Sequence, residues 1–223
     1  KKRIGREFLL SFLSGLLIIL SQPPFPFFFL AYFCVVPIFL SLKMKGSRSD
    51  FFLGLKTGIV AYTGLIYWVV IAMNKYGGID IVSSTSCMLL LSLYLALYMA
   101  SFTYIVSLLQ SRLAIPIFFS APIVWTLLEY VRNYMLSGFP WALLAYSQHS
   151  FPPIIQICSF TGPYYVSFLI LCLNCAIFIF LKRKLRERNV LFFILFVSLI
   201  FSLTIMYGFW KLRKDFSRPN AKN

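Results

Sequence analysis

Acidic residues and histidine are scarce in this chain of 223 residues, which has six Asp and Glu in total and one His. Charged residues of both signs make up 12% of the sequence, whereas soluble domains average about a quarter. Hydrophobic residues make up 60%, and the mean hydropathy is +0.84. A soluble globule of this length could not bury so much apolar surface. The composition therefore excludes a soluble domain and predicts an integral membrane protein.

The apolar runs are continuous for about 18 residues or more, whereas a membrane barrel strand would alternate over about ten. We therefore expect an all-α membrane domain of about seven transmembrane helices. The segments are Phe8–Gln22, Phe27–Leu42, Phe51–Met73, Ser86–Gln110, Ile115–Val131, Tyr164–Leu181 and Val190–Trp210. Three prolines follow the first segment, at 23, 24 and 26, and they predict a tight turn that makes the first two segments a helical hairpin.

The five cysteines lack the spacing of a zinc site or a disulfide framework. Cys172 and Cys175 form a C-x-x-C, but they lie in an apolar run, where free Cys behaves as a small hydrophobic residue. We expect neither a metal site nor a cofactor.

The net charge of +15 is distributed unevenly, with Lys and Arg clustered at residues 1–6, 43–48 and 182–188. The positive-inside rule places these three clusters, and with them the N-terminus, in the cytoplasm. Seven spans then place the C-terminus outside, and residues 211–223 are predicted to be a linker. No basic stretch is interleaved with aromatic residues in the manner of an RNA-binding surface, so we expect no nucleic-acid partner.

Two ionisable residues lie near the outer end of the fifth segment, where charge is costly. Glu129 and Arg132 have i, i+3 spacing, which predicts that they pair on one helix face. The pair could cap the segment, or it could hold a lipid headgroup or a docked domain. Asn174, inside the sixth segment, is expected to bind a neighbouring helix through its amide.

The segment SGFPWALLAYSQHS, residues 137–150, contains no Lys, Arg, Asp or Glu. Its Trp and Phe residues are typical membrane-interface anchors. We expect an interfacial or re-entrant surface at the outer side, suited to acyl chains or a lipidated substrate.

These motifs resemble the bacterial apolipoprotein N-acyltransferase family. The similar positions are Glu129, Arg132, Gly138, Phe139, Pro140, Trp141, Tyr146, Ser147, Gln148, Gln156, Gly162, Val166–Leu169 and Asn174, together with SQPPFPF near the N-terminus and Trp68, Tyr76, Gly77 and Gly78. Ala145 departs from the pattern, since the family usually has Gly before this Tyr. The resemblance extends over essentially the whole chain.

The resemblance implies an inner-membrane enzyme that completes lipoprotein maturation. Family members transfer an acyl chain from a phospholipid, through a Cys thioester, to the α-amine of a diacylglyceryl-Cys. Their Glu-Lys-Cys triad lies in a periplasmic nitrilase-like α/β domain. We expect residues 1–210 to be the polytopic membrane domain and 211–223 to lead to that catalytic domain, with the chain truncated before it. The chain alone is expected to be inactive.

No catalytic residue is therefore predicted within the chain. The candidate residues facing lipid or substrate are Glu129, Arg132, Gly138, Phe139, Pro140, Trp141, Tyr146, Ser147, Gln148, Tyr76, Gly77 and Gly78. The expected partners are the phospholipid donor, the diacylglyceryl apolipoprotein acceptor, the membrane and the nitrilase-like domain, which is either missing from this chain or, in a split enzyme, encoded separately. The alternative is a non-enzymatic lipid-handling scaffold or a small transporter. A transporter would be expected to show internal repeats and polar groups near the bilayer midplane. The sequence shows no convincing repeat, and its polar residues gather at the outer interface instead.

Overall fold

The computed structural model describes residues 2–182 and 188–216, and these residues are helical without any β-strand. The prediction of an all-α fold is confirmed. The α-helices are α1 (Lys2–Ser21), α2 (Val36–Ser41), α3 (Arg48–Leu65), α4 (Trp68–Lys75), α5 (Ile81–Arg112), α6 (Ile117–Arg132), α7 (Pro152–Ile155), α8 (Cys158–Thr161), α9 (Pro163–Leu181) and α10 (Arg188–Phe216). Three 3₁₀ segments occupy Phe28–Tyr32, Met135–Ser137 and Leu144–Ser150.

Three of these helices, α5, α9 and α10, are long and apolar enough to cross a membrane. The bent pair α3 and α4 is a fourth candidate if it counts as one span, with an angle of 46° between its two helices. The described residues therefore give three or four candidate spans by length and composition. The predicted third segment, Phe51–Met73, is this bent pair rather than one straight helix.

The predicted helical hairpin is present, but its second arm is interrupted. After α1 and the proline turn, the chain forms the 3₁₀ segment Phe28–Tyr32 and then the short helix α2, and both pack against α1. Pro37, near the start of α2, lacks the N–H that a continuous helix would need. Asn174 of α9 compensates for the break, because its side chain accepts from the Val35 N–H at 2.9 Å and donates to the Ala31 carbonyl at 2.8 Å. The expected role of Asn174 is thus observed.

The helix bundle has two ends, the Asp50 end and the Trp141 end. The Asp50 end contains residues 43–50 and 110–116, and the Trp141 end contains residues 22–27, 66–80 and 133–162. At the Asp50 end, the buried Asp50 side chain accepts from the Lys43 N–H at 2.8 Å and from the Ser107 hydroxyl at 2.5 Å. These bonds attach the 43–47 turn to α5.

The last helix extends to Phe216, beyond the predicted end of the seventh segment at Trp210. Residues 217–223 of the predicted linker and most of the basic cluster 182–188 lie outside the described residues. The boundary between membrane domain and linker therefore stays a prediction.

Small residues bring α3 and α5 close together. Gly54 and Gly58 face Ala96, Met99 and Ala100 of α5, and a Cβ at Gly58 would lie 2.7 Å from the Ala96 Cα. This is the small-xxx-small arrangement by which helices associate in lipid, where the hydrophobic effect cannot drive them together.

We predict that Gly58→Leu separates α3 from α5 and destabilises the domain by about 1–3 kcal/mol, as overpacking does elsewhere. The midpoint of thermal unfolding in detergent measures the effect. Gly5→Leu is the matched control, because nothing lies within 4 Å of a Cβ at Gly5. Equal midpoints for the two variants would show that close α3–α5 packing is not required.

Candidate functional site

The last turn of α6 carries a buried arginine. Arg132 is 1% exposed, and its guanidinium donates to the Tyr62 hydroxyl at 2.7 Å and to the carbonyls of Trp141 and Ala142, both at 3.3 Å. Its own backbone carbonyl accepts from the Phe139 N–H at 3.1 Å. Arg132 therefore connects α3 to the segment that follows α6.

Glu129 lies one turn earlier on α6 and is 4% exposed. Its Oε1 accepts from the Leu144 N–H at 2.8 Å. The two side chains share a face of α6, as their spacing predicts, but the structure shows no direct hydrogen bond between these two described residues. Each instead binds the backbone of residues 141–144. In place of the predicted pairing with each other, Glu129 and Arg132 form a buried clamp that holds one loop from both sides.

The loop needs residues that tolerate positive φ. Gly138 has φ of 84°, and a Cβ there would overlap the carbonyl oxygen of Asn133, so only Gly fits. Ala142 has φ of 58°, an unfavourable conformation for a residue with a Cβ. The Arg132 hydrogen bond to the Ala142 carbonyl holds this conformation.

The clamp places Trp141 against a groove of about 180 Å³ at the Trp141 end. Trp141 is 52% exposed, and its ring lies 6.0 Å from the ring of Trp68 and 5.2 Å from that of Phe139. The groove is lined by Gln22, Pro23, Leu65, Ile66, Tyr67, Trp68, Trp141, Ala142 and Tyr146. Its walls are thus largely apolar and aromatic, with a few polar groups, which suits an acyl chain next to a polar headgroup.

Tyr146 also lines this groove. Burial raises the pKa of the Tyr146 phenol, and the nearby Glu129 carboxylate acts in the same direction. The side chain is therefore a neutral hydrogen-bonding group at physiological pH.

The predicted residues Ser147 and Gln148 do not line the groove. Both are fully buried, and the Gln148 side chain accepts from the Tyr32 hydroxyl at 2.6 Å and donates to the Phe28 carbonyl at 3.3 Å. Gln148 thereby attaches the Leu144–Ser150 segment to the helical hairpin, while the Ser147 hydroxyl donates to the Leu144 carbonyl at 2.7 Å and accepts from the Gln148 amide at 2.8 Å. Pro140 is exposed beside Phe139, in the same loop as Trp141.

Tyr76, Gly77 and Gly78 lie at the far end of α4. Tyr76 is 80% exposed, and Gly78 turns the chain with φ of 66°. The groove is lined instead by Trp68, at the other end of the same helix. Beyond this turn, Asp80 caps α5 by accepting from the Ser83 N–H at 2.9 Å, and that bond lowers the pKa of the Asp80 carboxyl.

Three residues that hold the site were not among the predicted site residues. Gln22 donates to the Leu143 carbonyl at 3.0 Å, Tyr62 accepts from Arg132, and Tyr32 donates to Gln148. Gln22 could have been found, since it is a polar side chain directly before the proline turn. Nothing in the sequence distinguished the two tyrosines from the many other aromatic residues. Within the described part of the chain, no group of three or more His, Cys, Asp and Glu lies together as a metal site.

Comparison with known proteins identifies relatives of this chain. Residues 14–176 match the family model described as "Apolipoprotein N-acyltransferase N-terminal domain". The chain is 37% identical over 210 residues to the apolipoprotein N-acyltransferase of Geobacter metallireducens, covering 93% of this chain and 40% of that protein. It is 30% identical to those of Pasteurella multocida, over 85% of this chain, and Shewanella oneidensis, over 82%, with 36% of each relative covered. The chain thus spans about two fifths of the length of these relatives.

The clamp makes a prediction about charge reversal. Each partner on the loop has a fixed polarity: an N–H faces Glu129, and two carbonyls face Arg132. The double variant Glu129→Arg/Arg132→Glu should therefore fold no better than either single reversal, each of which costs about 3–5 kcal/mol by leaving an uncompensated buried charge. Fluorescence-detected size exclusion of tagged protein measures the folded amount.

Arg112→Glu is the control, because Arg112 is exposed at the end of α5. It should leave the folded amount unchanged. Rescue of folding in the double variant would mean that the two side chains stabilise the fold mainly by pairing with each other.

Proposed function

Because the chain belongs to the apolipoprotein N-acyltransferase family, we propose that it forms the membrane domain of a bacterial enzyme of lipoprotein maturation. The complete protein would transfer an acyl chain from a phospholipid to the α-amine of the diacylglyceryl-Cys of an apolipoprotein. The Cys thiol would take the acyl group from the phospholipid ester and release a lysophospholipid. The α-amine would then attack the thioester, forming the amide and freeing the thiol.

The observation that carries this proposal is the aromatic groove at the Trp141 end. An acyl donor and a lipidated acceptor both present hydrocarbon next to polar groups, and the groove is lined by Trp68 and Trp141 together with Gln22 and Tyr146. The buried clamp fixes the wall that carries Trp141, so the groove is preorganised. Correct orientation of two reactants can contribute about 7–11 kcal/mol to lowering a barrier without any reactive group.

Catalysis itself is assigned to a part of the protein outside this chain. The family's Glu-Lys-Cys triad belongs to a nitrilase-like domain, and the relatives extend well beyond the matched region. We propose that residues 1–210 are the membrane domain, that 211–223 lead to the catalytic domain, and that the chain alone does not transfer acyl groups. Family membership favours this proposal over a non-enzymatic scaffold or a transporter.

We also propose a topology of seven crossings in the inner membrane, with the N-terminus cytoplasmic and the Trp141 end periplasmic. Support comes from the ends of α1 and α10, which lie at the Trp141 end, where Gln22 donates to the Leu143 carbonyl and Lys211 to the Gln156 carbonyl. It also comes from the basic residues near the Asp50 end, including Lys43, Lys45 and Arg48.

Trp141→Ala in the full-length protein should lower the rate of N-acylation about 10-fold or more, because the groove loses one wall, while the amount of folded protein is unchanged. The measurement is the mass of the N-terminal lipopeptide of a reporter lipoprotein, followed over time in a strain depleted of its own N-acyltransferase. Trp210→Ala is the matched control, since Trp210 is exposed to a similar degree, 57%, on α10 away from the groove. Equal rates for both variants, or equal loss of folded protein, would make Trp141 an ordinary interfacial anchor.

The topology has its own test. Alkaline phosphatase, which is active only in the periplasm, should be active when fused after Gly78 and inactive when fused after Gly46. Activity at Gly46 and none at Gly78 would reverse the orientation, and equal activity at both positions would contradict the crossing pattern.

A further inference from the structure

One face of α6 carries three polar side-chain atoms that are buried without a hydrogen-bond partner. They are the indole Nε1 of Trp125, Oε2 of Glu129 and Nε of Arg132. The three residues stand at i, i+4 and i+7, so they follow one another along the same face of the helix. Their side chains are 8%, 4% and 1% exposed. A buried polar group without a partner costs about 1–3 kcal/mol, so three together call for an explanation.

All three residues line one small cavity. It has a volume of about 20 Å³ and is completed by Tyr62, Tyr98, Met99, Phe102 and Leu128. A buried water needs about 10–15 Å³ and two to four polar partners. The cavity therefore has room for one water and for nothing much larger.

We propose that this cavity is a binding site for one ordered water molecule, which bridges Glu129, Arg132 and Trp125. The hydrogen-bonding capacities match. Trp125 Nε1 and Arg132 Nε are both donors, and Glu129 Oε2 is an acceptor. One water accepts from the two N–H groups through its two lone pairs and donates one O–H to the carboxylate. A metal cation would be repelled by the guanidinium and would meet two N–H donors, while an anion would be repelled by the carboxylate.

The water explains why Glu129 and Arg132 share a face and yet make no direct hydrogen bond. Their attraction acts through the water, which leaves Oε1 of Glu129 and the terminal nitrogens of Arg132 to bind the loop. Trp125 is then a positioning residue that acts on residues 141–144 through the clamp. This inference rests on the contacts of α6 and does not depend on the proposed function.

The first test is a structure of the full-length protein by electron cryomicroscopy at a resolution that shows ordered waters. We expect a density peak about 2.7–3.2 Å from each of the three polar atoms, the usual range for hydrogen bonds. A cavity without density, or a Glu129 carboxylate in direct contact with the Arg132 guanidinium, would overturn the proposal.

A second test removes one partner of the water without changing the shape of the side chain. In Trp125→benzothienylalanine a sulfur replaces the indole N–H, and the same replacement at Trp210 is the matched control. Losing one buried hydrogen bond should lower the midpoint of thermal unfolding by about 2–4 °C at position 125. No change at position 210 is expected. Equal midpoints for the two variants would show that the indole N–H has no bound partner.

Discussion

The buried guanidinium of Arg132 is the interaction on which the Trp141 end depends. Taking such a charge out of water costs several kcal/mol, so it is tolerated only with good hydrogen bonds and an opposite charge nearby. Arg132 has both, in Tyr62, two loop carbonyls and the neighbouring Glu129. The loop cannot move without breaking these bonds. Its strained Ala142 and its exposed Trp141 are therefore held in one geometry, and the groove wall that carries Trp141 is fixed.

The two ends of the bundle use the same physical solution. A membrane leaves little water for irregular backbone, so turns must find partners within the protein. At the Asp50 end a buried carboxyl group binds the 43–47 turn. In the second arm of the hairpin, the Asn174 side chain likewise binds the backbone where the helix is interrupted. Between the ends, Gly54 and Gly58 let α3 approach α5 closely. Buried polar side chains thus fix the conformations of the loops, and small residues set the distance between α3 and α5.

Composition and apolar run length were enough to predict an all-α membrane protein, because both can be read from the sequence without knowing which residues are in contact. The motif from Glu129 to Gln148 also identified the family. The sequence did not show which of these side chains face outwards. Trp141 and Tyr146 line the groove, whereas Ser147 and Gln148 are buried, and Gln148 binds the helical hairpin. Local spacing predicted that Glu129 pairs with Arg132. It could not predict their actual partners, which depend on a positive φ at Gly138 and on Tyr62, 70 residues away.

The central claim is that the groove beside Trp141 receives the lipid substrates, and crosslinking tests it most directly. The photoreactive residue benzoylphenylalanine would replace Trp141 in the full-length protein, reconstituted in bilayers with radiolabelled phospholipid, and Trp210 in a parallel sample. The account predicts that phospholipid crosslinks at both positions, and that a diacylglyceryl-cysteinyl peptide reduces crosslinking only at position 141. Labelling that the peptide leaves unchanged at position 141 would show that bulk lipid, and no substrate, occupies this surface.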